Sequence, residues 1–250
     1  MIVKVAVSGW LLVASCWCRA GVINNYQPPT TSNQPLTTNN QPPATSDMCK
    51  MRGMFNIELE PVTLTGRQVR LEPLRREHAA QLWPHANEAD IWRYMPYGLI
   101  DSPARVDWLV GDLLGRQAKG TDLPFAQIDL VSNQAIGMTR YMTIEPANKG
   151  LEIGGTWLGQ SFRRTAINTE AKYLLLRHAF EQLGAIRVQL RTDLRNARSQ
   201  RAIERIGAVR EGVFRHNVIL PDGYLRSSVF YSVLADEWSS VKIRLETMLS

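Results

Sequence analysis

The chain has 250 residues, 44% of them hydrophobic and 21% charged, which excludes a fibrous or wholly disordered protein and supplies one sizeable core or at most two small ones. The formal net charge is +6, a mild excess that suits an acidic ligand without requiring nucleic acid. All three cysteines, Cys16, Cys18 and Cys49, lie in the first 49 residues, so the rest of the chain has neither a disulfide nor a thiolate nucleophile, and the four scattered histidines form no metal motif.

Residues 1–54 differ in character from the rest of the chain. "IVKVAVSGWLLVASCWC" resembles a short secretory signal with a lipoprotein-like cleavage site at Cys16. A repeat, "QPPTTSN", "QPLTTNN", "QPPATSD", runs from Gln27 to Asp47, and its Pro, Thr and Asn cannot build a core. Two readings compete: a genuine export signal and stalk, or a non-native segment ahead of a start at Met48, Met51 or Met54. The second is expected, with a folded domain over 55–250 and a cytoplasmic location; the alternative is an exported lipoprotein anchored through Cys16.

Along the domain, "VTLTGRQVRLEPL" alternates apolar and polar residues and predicts an opening strand with a turn at Gly66. "RREHAAQLWPHANEADIWRYM" predicts one or two short helices broken near Pro84. Ser102 and Pro103 then open a longer helix, whose stripe of Val106, Leu109, Val110, Leu113 and Leu114 ends at Gly120. Three strands come next, "PFAQIDLV", "QAIGMTRYMTI" and "GLEIGGTWL"; the first two are joined at Ser132-Asn133, and the third carries Gly154-Gly155 at its centre. Paired glycines inside a strand predict a bulge or a ligand against the backbone. A helix ending at Gly184, the strand "IRVQLRTD", a helix over "NARSQRAIERIGA", two strands turning at Pro221-Asp222-Gly223 and a closing helix complete the chain. Three consecutive strands before strand–helix alternation predict an α/β protein with a mixed sheet, not a dinucleotide-type doubly wound fold.

Three places suggest chemistry. Arg163 to Asn168 lies just ahead of a helix, where free backbone N–H groups and the helix dipole favour an anion; equally, both arginines can be solvated and Asn168 a simple cap. Glu170 favours a helix start but repels an anion there. Asn196 and Ser199 lie within a few residues of a strand end. A plain N-cap explains them, and the functional alternative has the Asn196 amide on a ligand and the Ser199 hydroxyl near a reacting atom. Glu152 shares the glycine-containing strand and reads either as a surface residue or as a proton acceptor. His178 reads as a core or rim histidine; Trp92, Tyr94 and Trp157 read as packing groups, because no basic–aromatic alternation surrounds them.

The ordered stretch "GTWLGQSFRRTAINTEAKYLLLRHAFEQLGAIRVQLRTDLRNARSQRAIERIGAVREGVFR" resembles the GNAT superfamily of acyl-CoA-dependent N-acetyltransferases, in the branch of the ribosomal-protein alanine acetyltransferases. The likeness covers about residues 58–240. It implies a GNAT-like acyl-CoA N-acyltransferase fold, a mixed sheet whose central strands splay apart around acetyl-CoA as cosubstrate, with no metal. It sets Trp157 and Leu158 beside the cofactor and makes Arg163, Arg164, Thr165, Ala166, Ile167 and Asn168 the pyrophosphate loop, although the loop glycines usual in the family are absent. It also makes Asn196 a contact to the pantetheine arm, Ser199 the proton donor to the leaving thiolate and Glu152 a base acting through water. The implied partner is an amine acceptor, a protein N-terminus or a small amine, with no nucleic acid and no membrane unless the signal-like segment is genuine. The alternatives are a non-catalytic acyl-CoA-binding or partner-binding module on the same fold, and a small-amine or antibiotic acetyltransferase. The acceptor pocket is expected from residues 78–100 and the hairpin around Pro221 to Tyr224.

Overall fold

The computed structural model describes residues 60–250, so the reading of residues 1–54, including Cys16 and the candidate start methionines, lies outside the described residues. The "VTLTGRQVRLEPL" stretch forms two strands rather than one, β1 (Leu64–Thr65) and β2 (Val69–Pro73), paired antiparallel. The turn falls at Gly66, as the sequence predicts, and splits the segment because its amides bond elsewhere. The carboxylate of Glu170 accepts from the backbone N–H groups of Arg67 (2.6 Å), Gln68 (2.7 Å) and Val69 (2.9 Å). A Cβ on Gly66 would lie 2.4 Å from that carboxyl carbon, so only glycine lets the carboxylate approach.

Helices α1 (His78–Ala86), α2 (Ala89–Trp92) and α3 (Pro103–Ala118) come next. Pro84 lies inside α1 and the chain breaks after it, at Asn87-Glu88, because a proline in the last turn removes one ladder bond without ending the helix at once. Ser102 caps α3, accepting from the Arg105 amide, and Pro103 occupies its first turn. Strands β3 (Leu123–Asp129), β4 (Gln134–Glu145) and β5 (Gly150–Leu158) form the predicted meander. Then come α4 (Ile167–Glu181), β6 (Arg187–Asp193), α5 (Ala197–Arg205), β7 (Val209–Ile219), β8 (Leu225–Leu234) and α6 (Trp238–Leu249).

The eight strands form one mixed sheet in the order β1-β2-β3-β4-β5-β6-β8-β7. Every neighbouring pair is antiparallel except β5 with β6. That parallel pairing spans only Gly150–Glu152 against Arg187–Gln189. Beyond it β5 stays with β4 as far as Leu158, while β6 stays with β8 as far as Asp193. The sheet therefore forks at its centre, as the sequence reading expects.

Helices cover both faces. Leu174, Leu175 and Ala179 of α4 and Trp238, Val241 and Leu245 of α6 share one apolar cluster with Leu151, Ile153, Val188, Leu190, Val229 and Tyr231. Leu82, Trp92, Val106, Leu109 and Val110 of α1–α3 share the other with Ala126, Met138 and Trp157. Because both faces are covered, β3 is buried at every position, and its run Leu123–Ala126 is apolar rather than alternating, with Gln127 and Asp129 as buried polar exceptions. His178 proves to be a satisfied core-rim histidine: its Nδ1 lies 3.2 Å from the Tyr141 hydroxyl, the rings stack, and burial holds its pKa below the ordinary value.

Glu170 ties the first hairpin to α4. Glu170→Ala leaves three amides without an acceptor, so it should cost about 3 kcal/mol of stability, read as a lowered urea midpoint at unchanged m-value.

Candidate active site

The fork is opened by a bulge in β5. Between the pairs Met138↔Trp157 and Arg140↔Gly154, β5 contains one residue more than β4. Gly155 takes up the extra length with φ of 59°. A Cβ on Gly154 would meet the Met142 sulfur at 2.7 Å. The paired glycines thus let the strand bend where the opposite strand departs.

The fork holds a cavity of about 620 Å³. Glu152, Trp157, Leu158, Arg163, Arg164, Thr165, Asn168, Asn196 and Ser199 all line it. Of the residues picked from sequence, Ala166 and Ile167 do not reach it, and Ile167 is buried in the core beneath α4.

At the start of α4, Asn168 is not the cap. Ala166 occupies that position with no side-chain cap, and the Thr165 hydroxyl accepts weakly from the Ile167 amide at 3.3 Å. No protein acceptor for the amides of Thr165 and Asn168 is found among the described residues, and both residues face the cavity. Glu170 does not oppose an anion there, because its carboxylate is turned away and held by the first hairpin. Arg164 is exposed, with a left-handed φ of 61°. Arg163 is committed elsewhere: its guanidinium donates to the Leu158 carbonyl (3.0 Å) and to Glu88 (2.8 Å), and lies 3.5 Å from Asp90. Asp90 also meets Arg198 of α5 at 3.1 Å, so one carboxylate from α2 touches arginines from both sides of the fork.

Asn196 is the N-cap of α5, with its Oδ1 accepting from the Ser199 amide at 3.0 Å. The plain structural reading of that asparagine is therefore correct. It also lines the cavity, and its side-chain nitrogen has no protein partner among the described residues, so capping does not prevent ligand contact. Glu152 is not on the surface: it is 2% exposed. It accepts from Arg191 (2.9 Å), Gln189 (3.2 Å) and Thr143 (3.3 Å). Three donors fill most of the acceptor sites of a carboxylate. Trp157 packs against Trp92 with ring centroids 5.4 Å apart, a packing role as read from sequence.

Two residues of the site went unread in the sequence. Lys172 is buried, lines the cavity, and donates to Thr156 at 2.7 Å, with no ion-pair partner among the described residues. Burial draws its pKa down from the ordinary 10.5 to about 7. Its one sequence signal was a position four residues after Asn168, on the same helical face. Arg226 is the other, set on β8 by alternation with the core residues Val229 and Tyr231.

The acetyltransferase (GNAT) domain model matches residues 68–209, more than half of the chain and both strands of the fork, β5 and β6. The chain belongs to the GNAT family. Among curated GNAT relatives it is 32% identical over 113 residues to the "Putative ribosomal N-acetyltransferase YdaF" of Bacillus subtilis (strain 168). That match covers 45% of this chain and 61% of YdaF, so less than two thirds of the relative is spanned. A solved structure from T. thermophilus, described as a "putative acetyltransferase", is 41% identical with a TM-score of 0.71, covering 77% of this chain and 99% of that one. A GCN5-related N-acetyltransferase from Brucella melitensis is 29% identical with a TM-score of 0.72, covering 77% and 87%.

Lys172 gives this GNAT domain a pH signature. Between pH 7 and about 10.5 the unfolded chain binds the Lys172 proton while the folded chain does not, so its contribution to stability rises with pH across that window. Below pH 7 the cost of burying the charge is fully present. Lys172→Met should therefore unfold several degrees higher than the parent at pH 6, and the gap should shrink toward pH 10 in calorimetry.

Proposed function

We propose that this protein is an acetyl-CoA-dependent N-acetyltransferase that modifies a primary amine, with a protein N-terminus as the favoured acceptor. The observation that carries the reading is the forked sheet, whose cavity presents the open amides of Thr165 and Asn168 together with the Asn196 side chain and the Ser199 hydroxyl. Backbone donors at a helix start suit phosphate, and a row of polar groups between parted strands suits an extended amide-rich arm. The missing loop glycines do not remove those donors. The name of the Bacillus subtilis relative favours a ribosomal protein as acceptor. The same reading sets the protein in the cytoplasm, with its acyl donor.

Acetyl-CoA, when bound, supplies an acetyl thioester ready for attack by a neutral amine. The residues of the chain then have four tasks. The amides around Thr165 to Asn168, with Arg164, hold the phosphates. Asn196 orients the arm that leads to the thioester. The bulged strand at Gly154-Gly155 offers a backbone N–H to the carbonyl oxygen, on which negative charge grows as the N–C bond forms. Glu152, through a water, receives the proton leaving the amine, and the Ser199 hydroxyl gives a proton to sulfur as the C–S bond breaks. Positioning and proton movement are all that the reaction asks of the protein.

Two measurements test this. Arg164→Glu should weaken acetyl-CoA binding about tenfold at low ionic strength in isothermal titration, and less in high salt; equal binding by both proteins overturns the phosphate-loop assignment. Arg163 is unsuitable for that test because it holds Glu88. Ser199→Ala leaves the Asn196 cap in place, since the cap uses the backbone amide of residue 199. Its kcat should fall about tenfold at unchanged acetyl-CoA affinity, or about 1.4 kcal/mol. Thiol release should be fastest with peptides beginning with Ala or Ser. Binding without turnover on any amine would make the domain a non-catalytic acyl-CoA-binding module.

A further inference from the structure

On one face of the fork, two carboxylates meet three guanidiniums. Glu152 is held by Arg191 at 2.9 Å. Asp193, whose side chain is 1% exposed, is held by Arg195 through two contacts of 3.1 and 2.8 Å. Arg195 is itself covered by the Tyr224 ring, 3.4 Å from its centroid. Arg226 is left over. It is the most buried of the three arginines, at 8% exposure, and it lines the cavity. Its Nε donates to the Ser228 hydroxyl (3.1 Å) and its Nη1 to the Tyr94 carbonyl (2.9 Å), both neutral acceptors. Among the described residues its Nη2 has no partner and no carboxylate forms an ion pair with it. The charged groups that face it are Asp193, Arg191, Glu152 and Arg195, and each of these is already paired. Burial lowers its pKa, as expected for a cation short of countercharge.

The position says which ligand could supply that countercharge. Val229, Tyr231 and Val233 of β8 point into the core beneath α4 and α6. By alternation Arg226 and Ser228 point to the opposite face, where Tyr94 and Tyr97 of the α2–α3 connection also line the cavity. The loop that offers amides to phosphate belongs to the α4 side. An anion at Arg226 is therefore a second anion, approaching from the acceptor side.

We propose that Arg226 binds a carboxylate carried by the acceptor, so that the substrate is a primary amine with a carboxylate on the same molecule. This rests on the acetyltransferase reading above. The carboxylate can be that of a free amino acid or an acidic side chain near a peptide N-terminus, and Arg226 pairs with either through its free Nη2.

The test uses matched probes that differ only in carboxylate against carboxamide. One pair is L-alanine and L-alaninamide; the other is the peptide amides Ala-Glu-Gly-Gly-NH2 and Ala-Gln-Gly-Gly-NH2. Each is titrated calorimetrically into the full chain in the presence of CoA, and turnover with acetyl-CoA is followed in parallel. At least one acid probe should bind tenfold or more tightly than its amide. Arg226→Gln should abolish the preference and Arg226→Lys should keep part of it, whereas a merely structural role would shift both members of a pair alike. Preference in the alanine pair identifies an amino acid; preference in the peptide pair identifies an acidic N-terminal segment. Equal binding within both pairs, or a preference that survives Arg226→Gln, overturns the proposal. Selective binding with no turnover would uphold the carboxylate site and overturn the enzymatic reading.

Discussion

Everything at the centre of this protein depends on how briefly β5 and β6 pair. Three residues of each strand are joined, and then each keeps only its outer neighbour. A sheet cannot normally leave a central row of N–H and C=O groups unpaired, because their desolvation is costly. Here the unpaired edges face a cavity, where water or a ligand can satisfy them. The bulge at Gly155 and the close approach at Gly154 bend β5 away, and the antiparallel hold of β8 keeps β6 from following. The cleft is therefore a property of strand pairing, and side chains only furnish it.

That furnishing is divided by face. On the α4 side lie the open amides at Thr165 and Asn168 and the buried Lys172. On the other side lie the carboxylates and guanidiniums of Glu152, Asp193, Arg191, Arg195 and Arg226. Strand alternation sorts the two sets: Val188 of β6 and Val229, Tyr231 and Val233 of β8 enter the core, while Arg191, Asp193 and Arg226, of opposite parity on the same strands, line the cleft. The cleft is thus open to ligands from two opposite faces.

Much of this was legible in the sequence because its signals are local. The element order, the turn at Gly66, the Ser102 cap and the bulge at the paired glycines each rest on a few adjacent residues with one dominant preference. Asn196 was legible as a cap for the same reason. The illegible parts are long-range pairings. Glu170 looked like a helix-start acid and in fact serves a turn about a hundred residues earlier. Arg163 looked free and is taken by Glu88. Glu152 read either as a surface residue or as a proton acceptor, and its burial was illegible because nothing nearby in sequence announces Arg191 as its partner. Charged side chains have little positional preference of their own, and so their partners are set by the fold.

Asp90 gives the cleft a resident anion. Its carboxylate reaches Arg163 on one bank and Arg198 on the other, at 3.5 and 3.1 Å. An anion arriving at the mouth would meet cations that are already partly neutralised, Arg163 by Glu88 as well as by Asp90. Counterions in solution screen both contacts, so the clasp across the cleft loosens as salt rises.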